Sequence, residues 1–269
     1  MRTLVHLSDL HFGRTDRKVL EPLLATIAAI RPDVVVVSGD LTQRARAAEF
    51  RAARDFLARI EAPMIVVPGN HDVPLYRVWE RFLSPLGKFK RYFGRDLTPS
   101  FVDAEIAVVG INTARSLTVK HGRINKEQMA AIHLLLDPID EAVTKIVVTH
   151  HPFDLPDDPG DVRLVGRARE AMEVFARCGV DILLAGHFHT SRSGDTSARH
   201  EISGYSALVV QAGTATSTRG RGEENSFNVL RVTKDEAIVE RRAWQPETAA
   251  FAVAGSERFV SEGSRWIER

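Results

Sequence analysis

Asp9 and His11, spaced as Asp-x-His, stand just past the first apolar run of the chain, and the same placement recurs further along. Asp40 follows a second run. Asn70, His71 and Asp72 follow a third, His150 and His151 a fourth, and His187 and His189 a fifth. Carboxylate, imidazole and amide are the oxygen and nitrogen donors that hold Mn, Fe, Zn and related divalent ions, and no thiolate is among them. Asp9, His11, Asp40, Asn70, His150, His187 and His189 make seven donor groups. That is more than one tetrahedral zinc takes, and it suits two metals sharing a carboxylate. Two carboxylates cannot neutralise two divalent cations, so an occupied centre would be electropositive and would attract an anion. Gly39, Gly69 and Gly186 each precede a candidate ligand, which implies tight turns or close backbone approach. The Asp-x-His and His-x-His spacings imply alternate side chains on one side of an extended segment.

The elements that must position these groups read as alternating strands and helices. Thr3 to Leu7, Asp33 to Ser38 and Met64 to Val67 are strand-like, and the VVVV within the second is the continuous β-branched run of a strand buried on both faces. Val19 to Ile30 and Ala45 to Ile60 have helical periodicity, the latter with Arg and Glu on its outer face. Residues 74–99 read as helical turns and loop. Ile106 to Ile111, Lys145 to Thr149 and Ile182 to Ala185 are further strands. Helices are expected from Asn125, capped with Gln128, and over Gly166 to Cys178. Ala207 to Gln211, Phe227 to Thr233 and Ala237 to Arg242 read as a meander, and the tail from Trp244 shows no clear period. This is a layered α/β pattern, parallel at first and more antiparallel later. We expect a single domain over 1–269, with 244–269 a tail whose structure the pattern does not define. In open α/β sheets, ligands bind outside the carboxyl ends of strands, where every candidate group falls.

Composition excludes other classes. At 44% hydrophobic and 26% charged, the chain is neither disordered nor collagenous. Thirty-six Lys and Arg against 35 Asp and Glu leave +1, so no bulk charge draws it to nucleic acid or anionic membrane, although a local basic patch is compatible with that sum. One cysteine, Cys178, rules out an internal disulfide and a cysteine zinc cluster. No run reaches the ~20 apolar residues of a membrane helix, and no leader is evident, so a cytoplasmic protein is expected.

Together Asp9-x-His11, Gly39-Asp40, Gly69-Asn70-His71-Asp72, His150-His151 and Gly186-His187-x-His189 resemble the calcineurin-like metallophosphoesterases, in the family order. The Gly-Asn-His-Asp block, the His150-His151-Pro152 segment and the compact length are most similar to class III cyclic-nucleotide and glycerophosphodiester phosphodiesterases. The resemblance implies two mixed β-sheets flanked by helices. It implies one metal on Asp9, His11, Asp40 and His189, and a second on Asp40, Asn70, His150 and His187, with Asp40 bridging. It implies hydrolysis of a small phosphodiester by a hydroxide held between two divalent ions, Mn, Fe or Zn, whose water loses its proton near pH ~7. His71 corresponds to the non-ligand histidine that protonates the leaving group or steadies the phosphate, and Asn70, His71 and His151 are the expected substrate contacts. A homodimer is an arrangement that relatives adopt.

Other histidines read more plainly. His6, inside the first strand, is expected to be structural, and His133 to pack on a helix. His121 and His200 lie in loops, where specificity residues are found, but neither is among the expected substrate contacts. His151 could instead orient a ligand, and Asp72 is expected to turn its loop or orient a ligand. The stretch Gly87 to Arg95 reads as a solvated loop packing its aromatics on the core rather than a nucleic-acid site, and Arg219-Gly220-Arg221 as a loop. Among functions, a DNA nuclease of the same superfamily would carry extra DNA-contacting segments, and near-neutral charge disfavours nucleic acid. A nucleotide-sugar or lipid pyrophosphatase typically has Arg where this chain has His71. A non-catalytic binding protein that has lost its metals would not keep all seven donors. Asn112-Thr113 stands where related cyclic-nucleotide enzymes often carry an Asp, so the resemblance does not fix the substrate.

Overall fold

The computed structural model describes residues 1–118, 120–155, 164–196, 202, 204–218, 222–263 and 265–269. His200 and Arg219-Gly220-Arg221 lie outside them.

The VVVV run shows how the layers are built. It forms β2 (Val34–Val37), beside β1 (Arg2–Leu7) and β3 (Met64–Val66), all parallel. Val34 and Val36 enter the core between two sheets, while Val35 and Val37 enter a second core beneath α1 (Leu20–Ile30) and α2 (Ala47–Leu57). With both faces buried, every residue of the strand is apolar. The short helices α3 (Val78–Leu83) and α4 (Gly87–Phe93) follow, then β4 (Ser100–Val102) and β5 (Ile106–Gly110). The expected loop at 87–95 is therefore largely helical, because Phe89 is buried and Tyr92 and Phe93 pack against the same core.

The same two-faced pattern governs the second sheet. Helix α5 (Lys126–Leu136), β6 (Thr144–Val148), α6 (Ala168–Cys178) and β7 (Ile182–Ala185) complete its centre. Ile146, Val148, Ile182 and Leu184 face the first sheet, and Val147 and Leu183 face α5 and α6. Asn125 caps α5 as expected, its Oδ1 accepting from Gln128 N at 2.8 Å. Glu49 of α2 is buried rather than outward, because its carboxylate accepts from Arg44 N (2.8 Å) and Arg46 N (3.3 Å).

The C-terminal third departs from a simple meander. After β8 (Arg192–Asp195), β9 (Leu208–Gln211) pairs parallel with β7, whereas β10 (Ser226–Val232) crosses to pair antiparallel with β1. Then β11 (Glu236–Gln245), β12 (Ala250–Ser261) and β13 (Trp266–Glu268) extend the first sheet. The sheet orders are β13-β12-β11-β10-β1-β2-β3 and β4-β5-β6-β7-β9-β8. The tail is thus two strands. Its period is hidden by an extra residue: Arg242 pairs with Val253 and Arg241 with Gly255, so Ala254 is a bulge. The bulge lets Phe251 face the α1 side and Phe259 the core between the sheets, although eight positions would otherwise set both on one face. Two mixed sheets flanked by helices are the observed architecture. Among the described residues no helix is long and apolar enough to cross a membrane.

Candidate metal centre

All seven expected donors meet at the carboxyl ends of β1, β2, β6 and β7 and the loop after β3. They do not do so through extended backbone, which corrects the expectation for Asp-x-His and His-x-His. Asp9 (φ 54°), His11 (46°), Asp40 (51°), His187 (78°) and His189 (61°) are all left-handed. Non-glycine residues take this conformation at a cost and concentrate at functional sites. Only four other described non-glycine residues share it. Each turn aims a side chain inward immediately past its strand. Of the preceding glycines, Gly39 has φ +91° and abuts His150, and Gly186 lets Ser8 and Asp9 approach where a Cβ would collide.

One group of donors is Asp9, His11 and His189. Asp9 Oδ2 accepts from Ser8 Oγ (2.6 Å) and from His187 N (3.1 Å). Its Oδ1 lies 3.4 Å from His11 Nε2 and 3.5 Å from His189 Nε2, and no hydrogen bond reaches that oxygen. His189 Nδ1 is hydrogen-bonded with Thr214 Oγ1 at 2.5 Å, which turns Nε2 inward. A second group gathers His150, His187 and His151, with Asn70 among them. Asn70 Oδ1 is 3.1 Å from both His150 Nε2 and His187 Nδ1, and these nitrogens are 3.3 Å apart. His150 donates from Nδ1 to the carbonyl of Ser38 (2.8 Å), so Nε2 is the atom it presents.

Asp40 stands between the groups. Its Oδ1 accepts from His71 N (2.8 Å), and its Oδ2 is 3.7 Å from His11 Nε2 and 3.4 Å from His150 Nε2. Asp9, Asp40 and His150 themselves form a set of converging ligand atoms. Burial alone would raise the carboxyl of Asp40, but His150, His11 and His71 outweigh it and hold it well below the usual range. Burial disfavours charge on His150, yet Asp40 and Asp9 prevail and raise it to about 9. Burial and the neighbouring His150 push His187 down to about 3, leaving a neutral imidazole with a lone pair to give.

These residues fit divalent cations. A buried carboxylate oxygen without a hydrogen bond, Asp9 Oδ1, faced by the ring nitrogens of His11 and His189, is an arrangement that a cation satisfies. His151, expected at the substrate, also converges on His150 and His187. Its Nδ1 is hydrogen-bonded with Thr113 Oγ1 at 2.8 Å, and burial holds its pKa well below 6.5.

Outer partners fix the loops. Asp72 accepts from Leu41 N (3.1 Å), Thr42 N (2.9 Å) and Gly69 N (2.9 Å), tying the Asp40 loop to the Asn70 loop. That is the orienting role expected of it. His71 donates from Nδ1 to the carbonyl of Gln43 (2.9 Å) and stands edge-on to His11, ring centres 4.9 Å apart. His6 is buried against Ser38 Oγ (2.9 Å), a structural histidine as expected. His133 packs by Cys178 Sγ at 3.4 Å. Thr214 and Ser8 escaped sequence reasoning, though Thr214 follows β9 as the ligands follow their own strands. Thr113 is marked in the sequence only as standing, with Asn112, where relatives often carry an Asp, and not as the partner of His151.

Two mixed sheets carrying such a cluster at their carboxyl edge define a metallophosphoesterase. Residues 2–191 match the calcineurin-like phosphoesterase family, and the chain belongs to it. It is a hydrolase of phosphoric esters, and the family implies divalent metal ions. The chain is 26% identical over 222 residues to the 3′,5′-cyclic adenosine monophosphate phosphodiesterase CpdA of Escherichia coli (strain K12), covering 77% of this chain and 76% of that protein. It is 34% identical over 80 residues to the glycerophosphodiester phosphodiesterase GpdQ of Enterobacter lignolyticus, covering 26% and 29%. The fold is similar to that of purple acid phosphatase PPD1 from yellow lupin, with TM-score 0.71 at 15% identity over 95% of this chain and 53% of that one.

Proposed function

We propose that the chain is a dinuclear phosphodiesterase of small diesters, of cyclic-nucleotide or glycerophosphodiester type. The observation that carries this reading is the position of Asp40 between two donor groups, one built on Asp9, His11 and His189, the other on Asn70, His150 and His187. When bound, about two divalent ions, of Mn, Fe or Zn, supply a water of lowered pKa and neutralise phosphoryl charge.

The chain's own residues do the rest. Asp9 and Asp40 hold the negative charge that keeps cations in place. Ser38, Thr113 and Thr214 fix the rotations of His150, His151 and His189, so the donors are preorganised. The Nδ1 hydrogen of His71 is committed to Gln43, which leaves Nε2 to carry a proton to the leaving-group oxygen. Asn70 and His151 complete the substrate contacts. We also read 1–269 as one domain, since Phe251, Phe259 and Trp266 of its last segment lie in the same cores as the strands that carry the ligands.

The names of relatives support the diester class, and a turnover panel tests it. Protein reconstituted with Mn²⁺ is assayed on bis-p-nitrophenyl phosphate, p-nitrophenyl phosphate, cAMP, a glycerophosphodiester and DNA. We expect diesters to outrun the monoester and at least one small natural diester to turn over. Faster hydrolysis of p-nitrophenyl phosphate than of its bis-ester would make the enzyme a phosphomonoesterase.

A further inference from the structure

Helix α3 is inside out. Arg81 is 7% exposed and donates to the carbonyls of Pro74 (3.1 Å) and Thr118 (3.3 Å). Around it Tyr76, Val78 and Phe82 are exposed, with Trp79 at 80% and Leu83 at 79%. Among the described residues twelve large hydrophobic side chains are exposed, and six of them fall between Leu75 and Leu83. Leu117, beside the Thr118 carbonyl that holds Arg81, is another. Folding alone would favour the opposite arrangement, with the arginine in water and the tryptophan buried. A contiguous apolar patch of this kind marks an interface.

Charge near the patch selects the partner. Between residues 77 and 95 the chain carries Arg77, Arg81, Lys88, Lys90, Arg91 and Arg95 against Glu80 alone, in a protein whose net charge is +1. Glu80 ion-pairs with Arg77 (2.6 Å) and with Lys88, joining α3 to α4, while Lys90, Arg91 and Arg95 are exposed. A two-fold contact with a second copy would set these cations against themselves. A nucleic acid would match the charge but gives Val78 and Leu83 nothing apolar to enter. An anionic bilayer surface matches both features, since apolar side chains enter the headgroup boundary while Lys and Arg meet negative lipid.

We propose that the α3 face docks the protein peripherally on an anionic phospholipid membrane. Arg44 stacks over the Tyr76 ring at 5.3 Å, and the adjacent Gln43 carbonyl holds His71. The patch therefore borders the candidate centre, and docking brings that centre to the headgroup layer. The proposal concerns binding and does not rest on the substrate assigned above.

Trp79 reports on the patch, because Trp244 and Trp266 are only 8% and 3% exposed. The full chain is mixed with vesicles of equal parts phosphatidylcholine and phosphatidylglycerol, or of phosphatidylcholine alone. We expect co-sedimentation and a blue shift of tryptophan emission with the anionic vesicles only, lost at high salt. Phe82→Ser/Leu83→Ser, which keeps the reporter, and Lys90→Glu/Arg95→Glu, which keeps the apolar face, should each weaken binding at least about tenfold. Circular dichroism checks that both variants are folded. Failure of the wild type to bind anionic vesicles overturns the proposal, as does equal binding to phosphatidylcholine alone. A dimer abolished by Phe82→Ser/Leu83→Ser without vesicle binding would assign the face to self-association. Binding of a DNA oligonucleotide in place of vesicles would assign it to nucleic acid.

Discussion

A Cβ at Gly39 would lie 2.7 Å from Nδ1 of His150, the nitrogen that donates to the Ser38 carbonyl at 2.8 Å. The imidazole is wholly buried and cannot retreat as the tip of a flexible side chain could. Gly39 also has φ +91°, a conformation costly for any other residue. Gly39→Ala should therefore displace His150 and cost about 1–3 kcal/mol of stability. Disturbing the support of a ligand weakens metal affinity by about 10–100-fold. Calorimetric titration with Mn²⁺ measures this directly. Wild-type affinity in Gly39→Ala would show that His150 does not depend on this approach.

Asp40 is the carboxylate on which two-ion occupancy turns. Reconstitution with excess Mn²⁺ should give about two ions per chain. Asp40→Ala removes the oxygen facing both His11 and His150 and the acceptor of His71 N, so both ions should be lost. Metal analysis after gel filtration decides it. One tightly held ion, unaffected by Asp40→Ala, would sink the bridging role.

His6, buried beside Ser38 and not itself among the expected metal ligands, gives a pH signature of its own. Burial lowers it to about 3 from 6.5, against the opposing pull of Asp9. The folded state thus keeps His6 neutral where the unfolded chain binds a proton. Stability is unaffected by this group above pH 6.5 and is lost as pH falls from 6.5 toward about 3. Over that window one extra proton on the unfolded chain is worth ~1.4 kcal/mol per pH unit. His6→Gln, which can still reach Ser38, should flatten the slope by roughly that amount. Urea unfolding between pH 4 and 6, the range in which only the unfolded chain charges His6, measures it, and an unchanged slope would mean that another group carries the titration.

How legible the centre was depended on strand ends. Apolar runs such as VVVV are unambiguous because two buried faces demand them, and a polar residue past such a run can be located to within a turn. The donors were therefore readable, while their backbone was not. Asp and His enter the left-handed region more readily than most residues, but that tendency does not single out Asp9 and His189 among the other Asp and His of the chain; tertiary contacts impose the strain there. The same limit explains the tail. Ala254 is an ordinary alanine, and only pairing with β11 makes it the bulge that re-aims Phe259. The split between β9 and β10 is also a tertiary choice. Both strands bury apolar side chains on two faces, β9 with Leu208 and Val210 opposite Val209, and β10 with Leu230 and Val232 opposite Phe227 and Val229, so their pattern alone does not assign them to different sheets. The roles of Thr113 and Thr214 are visible only once the imidazoles they orient are in place.

His71 should act on the substrate rather than hold metal. Its Nδ1 hydrogen is fixed on Gln43 and its backbone N–H on Asp40, while Asn70 beside it turns toward His150 and His187. Two neighbours thus divide the work, the amide facing the donor cluster and the imidazole held apart by its own anchor. His71→Ala should leave metal content near wild type and lower kcat by about 10²–10⁴, the usual worth of a general acid. The leaving group separates the possible roles. p-Nitrophenolate scarcely needs a proton, so its release should suffer less than that of an alkoxide from cAMP or a glycerophosphodiester. Equal losses for both would mean that His71 steadies the phosphate instead of protonating the leaving oxygen. Loss of metal in His71→Ala would place it among the ligands and remove it from the chemistry altogether.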